Sequence, residues 1–127
     1  MRTSVKQRVE VIRRLQDAGI SWEHANTLRR ISMTLQRWGE LECGDGNDYA
    51  SWAIERDEQT GKPYMVRYPH DGKPRRTPVA DREKGALKRL QTIMSHYPNY
   101  VAYHQTDPRG AAVYVVRKGC NSGIAVY

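Results

Sequence analysis

Val5, Val9, Ile12 and Leu15 recur at three- and four-residue intervals, with Arg8, Arg13 and Arg14 among the residues between them. That spacing places an apolar stripe along one side of a helix. Gly19 follows as a C-terminal stop, and Ser21 offers its hydroxyl as the N-cap of a second helix. In that helix Ala25, Leu28, Ile31, Leu35 and Trp38 form a longer seam. It should run to about Leu41, roughly 30 Å at 1.5 Å per residue. The joint between the two is short, so residues 1–42 are expected to fold as a helical hairpin.

After ELECGDGNDYAS the period changes from helical to alternating. YASWAIER places Ala50, Trp52 and Ile54 on one side and Tyr49, Ser51 and Glu55 on the other. EQTGK is a turn and PYMVRY alternates again, which predicts an antiparallel hairpin. HDGKPRRTPVA, broken by glycine and proline, is expected to be a loop. Asp81 then caps a third helix over 81–97, with Leu87, Leu90, Ile93, Met94 and Tyr97 on one face and Lys84 and Lys88 nearly opposite. YVAYHQT, AAVYVVR and GIAVY close the chain as three short strands, the first two joined by TDPRG in a type I turn. The order ααββαβββ is that of an α+β fold: one domain, with a sheet of about five antiparallel strands over residues 48–127 and helices packed on it. GIAVY has two options, pairing within the chain or across the edge of a homodimer.

Charge sharpens this picture. The 127 residues carry a formal net charge of +7, unevenly placed. Residues 1–39 hold eight Lys or Arg against three acids, residues 40–58 hold Arg56 against seven acids, and residues 59–127 hold twelve bases against four acids. A basic chain attracts polyanions through its summed field and through counterion release. Hydrophobic residues make up 39%, which implies a lean core and leaves one face of the sheet wet. No apolar run approaches the roughly 18 residues of a membrane helix. The opening MRTSVKQRVEVIRR lacks the pattern of a secretory signal, and Cys43 and Cys120 lack CxxC spacing. Both features fit a reducing cytoplasm.

The best anion contacts are Lys73, Arg75 and Arg76 in KPRRTP, Arg109 in the last hairpin, and Arg117 and Lys118 beyond it. Arginines on proline-stiffened loops can present their guanidinium groups bidentately to phosphate. Tyr64, Tyr68, Tyr100, Tyr103 and Tyr114 lie on nearby strands, where Tyr103 or Tyr114 is placed to stack on a base. The competing reading is that these tyrosines are core in a chain without phenylalanine. His104 is the one histidine placed to act as an acid, a base or a ligand contact; none of the four has metal-ligand spacing.

The acidic stretch excludes more than it offers. Counted from Asp45 as a calcium loop, Tyr49, Ala50 and Arg56 occupy the fifth, sixth and twelfth positions, where ligands and a glycine belong. A magnesium-dependent phosphodiesterase built on Glu42, Asp45, Asp48 and Glu55 lacks any partner fixed by spacing. A helix stop, a turn and a strand entry account for the stretch, with Glu42, Asp45 and Asp48 as a protein-contact surface. RRLQDAGISWEHANTLRRI has the order of a helix-turn-helix, but Leu15 stands where the helix crossing needs a small residue. Walker, nucleophile-elbow and dinucleotide motifs are absent, and neither a metal nor a cofactor is expected.

RRISMTLQRWGELECGDGN, YHQTDPRGAAVYVVR and GIAVY together resemble a family of small proteins encoded by bacteriophages and prophages. The resemblance covers most of the chain and brings no catalytic residues. It implies a small protein of the bacterial cytoplasm that binds nucleic acid, sequesters a nucleotide, or inhibits a host defence complex. The sequence therefore points first to a non-enzymatic protein binding nucleic acid or nucleotide through its C-terminal half. The alternative is an inhibitor or adaptor of a host protein or nucleoprotein complex.

Overall fold

In the computed structural model, which describes residues 4–106 and 110–127, a capping box opens the first helix. The Gln7 N–H donates to the Ser4 hydroxyl, and the Ser4 N–H donates back to the Gln7 side chain. Helix α1 (Val5–Asp17) ends at Ala18, and Gly19 takes the left-handed backbone, φ 97°, that the stop requires. Helix α2 (Trp22–Glu42) starts under the Ser21 hydroxyl, which accepts from the His24 N–H. Strands β1 (Tyr49–Arg56), β2 (Pro63–Pro69) and β3 (Arg75–Thr77) follow, then α3 (Asp81–Met94). β4 (Tyr100–Gln105), β5 (Val113–Arg117) and β6 (Ile124–Val126) complete the order.

The six strands form one antiparallel sheet, β3-β2-β1-β4-β5-β6, with α1 and α2 packed together, α2 touching α3, and all three helices on the same side. This is the α+β fold expected, with one strand more. KPRRTP, expected to be a loop, supplies β3, whose Val66–Arg76 and Arg67–Arg75 registers tie it to β2. An edge strand needs no apolar alternation, so two adjacent arginines conceal it in the sequence. GIAVY pairs within the chain: β6 lies beside β5 in the register Val113–Val126.

The core lies between the sheet and the helices. Leu28, Ile31 and Leu35 of α2 and Leu87, Leu90 and Ile93 of α3 meet Trp52, Met65, Val113, Val115 and Val126 of the sheet, all of them buried. The Ser32 hydroxyl donates to the carbonyl of Val126, which pins the C-terminal strand to the second helix.

Four local expectations need correction. The buried stripe of α1 runs through Val11 and Leu15, so Val5 and Val9 are 71% and 60% exposed. Ala80, not Asp81, is the N-cap of α3, and Asp81 sits in its first turn. That helix stops at Met94, although Tyr97 still packs on the core. In β1 a bulge lies between Tyr49 and Ser51, with Ala50 as the extra residue. The bulge turns Tyr49 towards the core and leaves Ala50 exposed, the reverse of simple alternation.

Candidate nucleic-acid interface

Because the helices all lie on one side, the other side of the sheet is left open. Alternation along the strands and the inter-strand registers place Ser51, Ala53 and Glu55 of β1 there, with Tyr64, Val66 and Tyr68 of β2 beside them. Across β1 come Val101, Tyr103 and Gln105 of β4, then Tyr114 and Val116 of β5. Tyr103 and Tyr114 face one another across two strands, their rings stacked at 5.4 Å between centroids and 11° between planes. Tyr103 is 40% exposed. A parallel ring pair standing on an uncovered sheet is a platform on which a flat base can extend the stack.

Arg76 occupies the far edge of the same face. Its guanidinium lies over the Tyr64 ring, 3.8 Å from the centroid, and donates to Asp57 at 2.8 Å. The Arg76 bond, with backbone N–H groups from Thr60 and Gln59, holds the Asp57 carboxyl down at about 2. The Tyr64 hydroxyl donates to Glu55, which raises its own pKa by stabilising the neutral phenol. Four strand spacings separate β3 from β5, about 19 Å in all.

The structure divides the remaining basic candidates. Lys73, Arg75 and Arg76 are all exposed, but Arg75 alternates to the opposite side of β3 from Arg76. Cations on a short edge strand also discourage it from pairing with another chain. Arg117 and Lys118 are exposed at the end of β5. Arg109 and the turn assigned to it lie outside the described residues. Tyr100 packs against the core, away from the open face.

His104 does not belong to this interface. It points inward from β4, is 1% exposed, and stands 4.0 Å from Trp52 between ring centroids. Burial pushes its pKa down to about 3, so the ring is neutral at ordinary pH.

The acidic stretch also divides. Glu42, at the end of α2, accepts from Arg67 at 3.1 Å and pairs with Arg82, so it is tied inside the fold. Arg67 also donates to the Thr77 hydroxyl at 2.6 Å. Asp45 and Asp48 are exposed on a turn braced by the Asn47 amide, which donates to the carbonyls of Glu40 and Cys43. Among the described residues no three His, Cys, Asp or Glu side chains gather in a metal-binding arrangement. Cys43 is buried, which raises its thiol to about 11 despite the opposing charge of Arg67.

Sequence reasoning missed a cluster on the helical hairpin. Arg29 is half-buried, and its pKa is lowered by burial and by the charges of Arg8 and Arg30. The signal was present in the four-residue repeats of α1 and in RR of α2, but only the hairpin packing brings the two helices' arginines together. No helix among the described residues is long and apolar enough to cross a membrane. No family model matches the chain, and no match was found among curated proteins or solved structures.

Proposed function

We propose that this protein binds single-stranded nucleic acid across the open face of its sheet, as a non-enzymatic accessory protein. The observation that carries the reading is the stacked Tyr103–Tyr114 pair on a face that no helix covers. Bases extend that stack, while phosphates meet Lys73 and Arg76 at one edge and Lys118 at the other. Stacking tolerates any base, so the preference is for single strands over duplex and not for one sequence. A bacterial cytoplasm and a phage source fit this reading through the resemblance alone.

The test is fluorescence anisotropy of a labelled single-stranded oligonucleotide titrated across salt concentrations. Three cationic contacts on a single strand give a log–log slope of roughly −2. A flat salt dependence, or no binding by any single-stranded DNA or RNA, overturns the proposal.

A second reading, an inhibitor or adaptor of a host protein or nucleoprotein defence complex, keeps one specific support. Asp45 and Asp48 are held outward on the braced turn. Glu42 is not part of that surface, because both of its arginine partners belong to the fold. A partner captured by this protein after nuclease treatment, and lost when both aspartates become lysine, favours that reading over the first.

A further inference from the structure

The helical side of the molecule carries a groove of its own, across the sheet from the tyrosine platform. It lies between α2 and α3 and has a volume of about 370 Å³. His24 and Thr27 line it from α2, and Gly85, Lys88, Arg89 and Thr92 from α3, with Ile93 beneath them.

The floor is apolar. Gly85 lies inside α3, where glycine is among the least favourable residues. No close neighbour demands it, since a Cβ there would meet no atom within 4 Å. The missing side chain leaves the groove its depth. The Thr27 hydroxyl donates to the Glu23 carbonyl at 2.9 Å, and that of Thr92 donates to the Lys88 carbonyl at 3.0 Å. Both hydroxyl protons are therefore engaged by the backbone, and most of the surface left to a ligand is carbon.

The rim is cationic. α3 carries four basic residues. Arg82 is paired with Glu42 and Glu83, and Lys84 with Asp81. Lys88 and Arg89, the two in the groove, have no ion pair or hydrogen bond among the described residues, and no acid shares the lining. His24 adds a donor. Its Nδ1 lies 2.5 Å from the Tyr97 hydroxyl, which already accepts from the Ser21 N–H at 3.0 Å. The hydroxyl's own proton finds its nearer acceptor in that Nδ1, because Ser21 Oγ is 3.3 Å away. With Nδ1 as the acceptor, the ring proton sits on Nε2, which has no partner in the protein. His96, stacked at 5.1 Å between centroids, holds the plane of the ring.

We propose that this groove binds a small organic anion, a carboxylate or phosphate oxyanion carried on a compact apolar body such as one aromatic ring. The oxyanion meets Lys88, Arg89 and the His24 Nε2–H, and the body lies over Gly85 against Ile93 and the threonine methyls. A cationic ligand finds no counter-charge here. A neutral apolar one leaves both rim cations without an anion, and a bare inorganic anion leaves the floor wet. The volume is at the lower end of the roughly 300–1,000 Å³ of small-molecule sites, which limits the body to a small one. The site shares no residue with the proposed nucleic-acid interface.

The experiment titrates benzoate, phenyl phosphate, inorganic phosphate and benzyl alcohol, each alone, into the full chain and follows amide NMR shifts. At least one aromatic anion should bind and move the Thr27, Gly85, Lys88 and Thr92 amides, and its ring protons should contact the two threonine methyls. Which of the two binds better separates a carboxylate from a phosphate ligand. Inorganic phosphate and benzyl alcohol should each bind at least tenfold more weakly than that anion. Gly85→Leu, which favours the helix and fills the floor, should fold and abolish binding. Lys88→Gln combined with Arg89→Gln should weaken it tenfold or more, with no native ion pair lost. The proposal is overturned if neither aromatic anion shifts these amides, if ring and methyl protons make no contact, or if binding survives Gly85→Leu. Equal binding of benzyl alcohol or of inorganic phosphate overturns it too. Oligonucleotide anisotropy of Gly85→Leu should match wild type; a loss there would make the groove part of the nucleic-acid path and overturn the assignment to a small anion.

Discussion

Glu42 and Arg67 meet at 3.1 Å with only 17% and 12% of their side chains exposed, joining the end of α2 to the middle of β2. Arg82 approaches the same carboxylate from α3. One acid therefore neutralises cations from two other elements. Removing it strips Arg67 of its counter-charge, while Arg82 keeps the buried Glu83 at 3.1 Å. Glu42→Gln should destabilise the protein by about 3 kcal/mol, read from urea unfolding. A change below about 1 kcal/mol would show that Arg67 finds water or another acceptor.

The tyrosine pair predicts a loss confined to binding. Tyr103→Ala and Tyr114→Ala should each weaken single-strand affinity by about 1–3 kcal/mol while leaving the salt slope unchanged. Arg76→Gln and Lys73→Gln should do the opposite, reducing the slope by about 0.7 each. Equal effects of all four on affinity and slope would argue against the division of roles.

Asp57 competes with phosphate for the Arg76 guanidinium. Asp57→Asn should therefore tighten oligonucleotide binding a few-fold at low salt, with the gain vanishing as salt screens both partners. Anisotropy of the variant at two ionic strengths checks this, and weaker binding at low salt would count against it.

His104 makes stability fall on acidification. Its pKa is held at about 3 in the fold against 6.5 unperturbed. Above 6.5 the folded and unfolded chains are both neutral at this site, and the full stability is present. Between 6.5 and 3 the unfolded chain takes up a proton that the folded one refuses, so stability drops by up to about 1.4 kcal/mol per pH unit. Urea midpoints for wild type and His104→Leu should diverge in slope across that window. Parallel pH profiles would mean that the imidazole charges without unfolding.

Gly123 precedes β6 under tight constraint. A Cβ added there would lie 2.6 Å from the Val115 carbonyl oxygen and 2.5 Å from the Val116 side chain. The carbonyl belongs to a paired strand and cannot swing aside. Gly123→Ala should cost about 1–3 kcal/mol, measured as a shift in the unfolding midpoint.

The longest apolar period was the most legible feature. The seam of Ala25, Leu28, Ile31 and Leu35 is buried, with Trp38 at its end half-buried, because a helix against a sheet must hide one continuous stripe. In α1 the same logic selected Val5 and Val9, but the sheet reaches that helix only near its later turns. Pattern alone could not reveal where the neighbour ends. Ala50 defeated alternation because a bulge shifts phase without altering composition. The tyrosine candidates were identified on adjacent strands, yet only register shows that Tyr103 and Tyr114 stand opposite one another. His104, one residue from Tyr103, falls on the opposite face by the same two-residue period.

The bond from Ser32 to Val126 has a consequence for how the molecule is made. During synthesis the helical hairpin emerges first, with Leu28, Ile31 and Leu35 already aligned but uncovered. The strand that touches both of its helices emerges nearly a hundred residues later. Until then those side chains are exposed to whatever else is in the cell, and closing the fold requires contacts that span nearly the whole described chain. A ribosome that stalls before β6 should therefore release a chain with its helices formed and its core open, a natural target for chaperones and proteases.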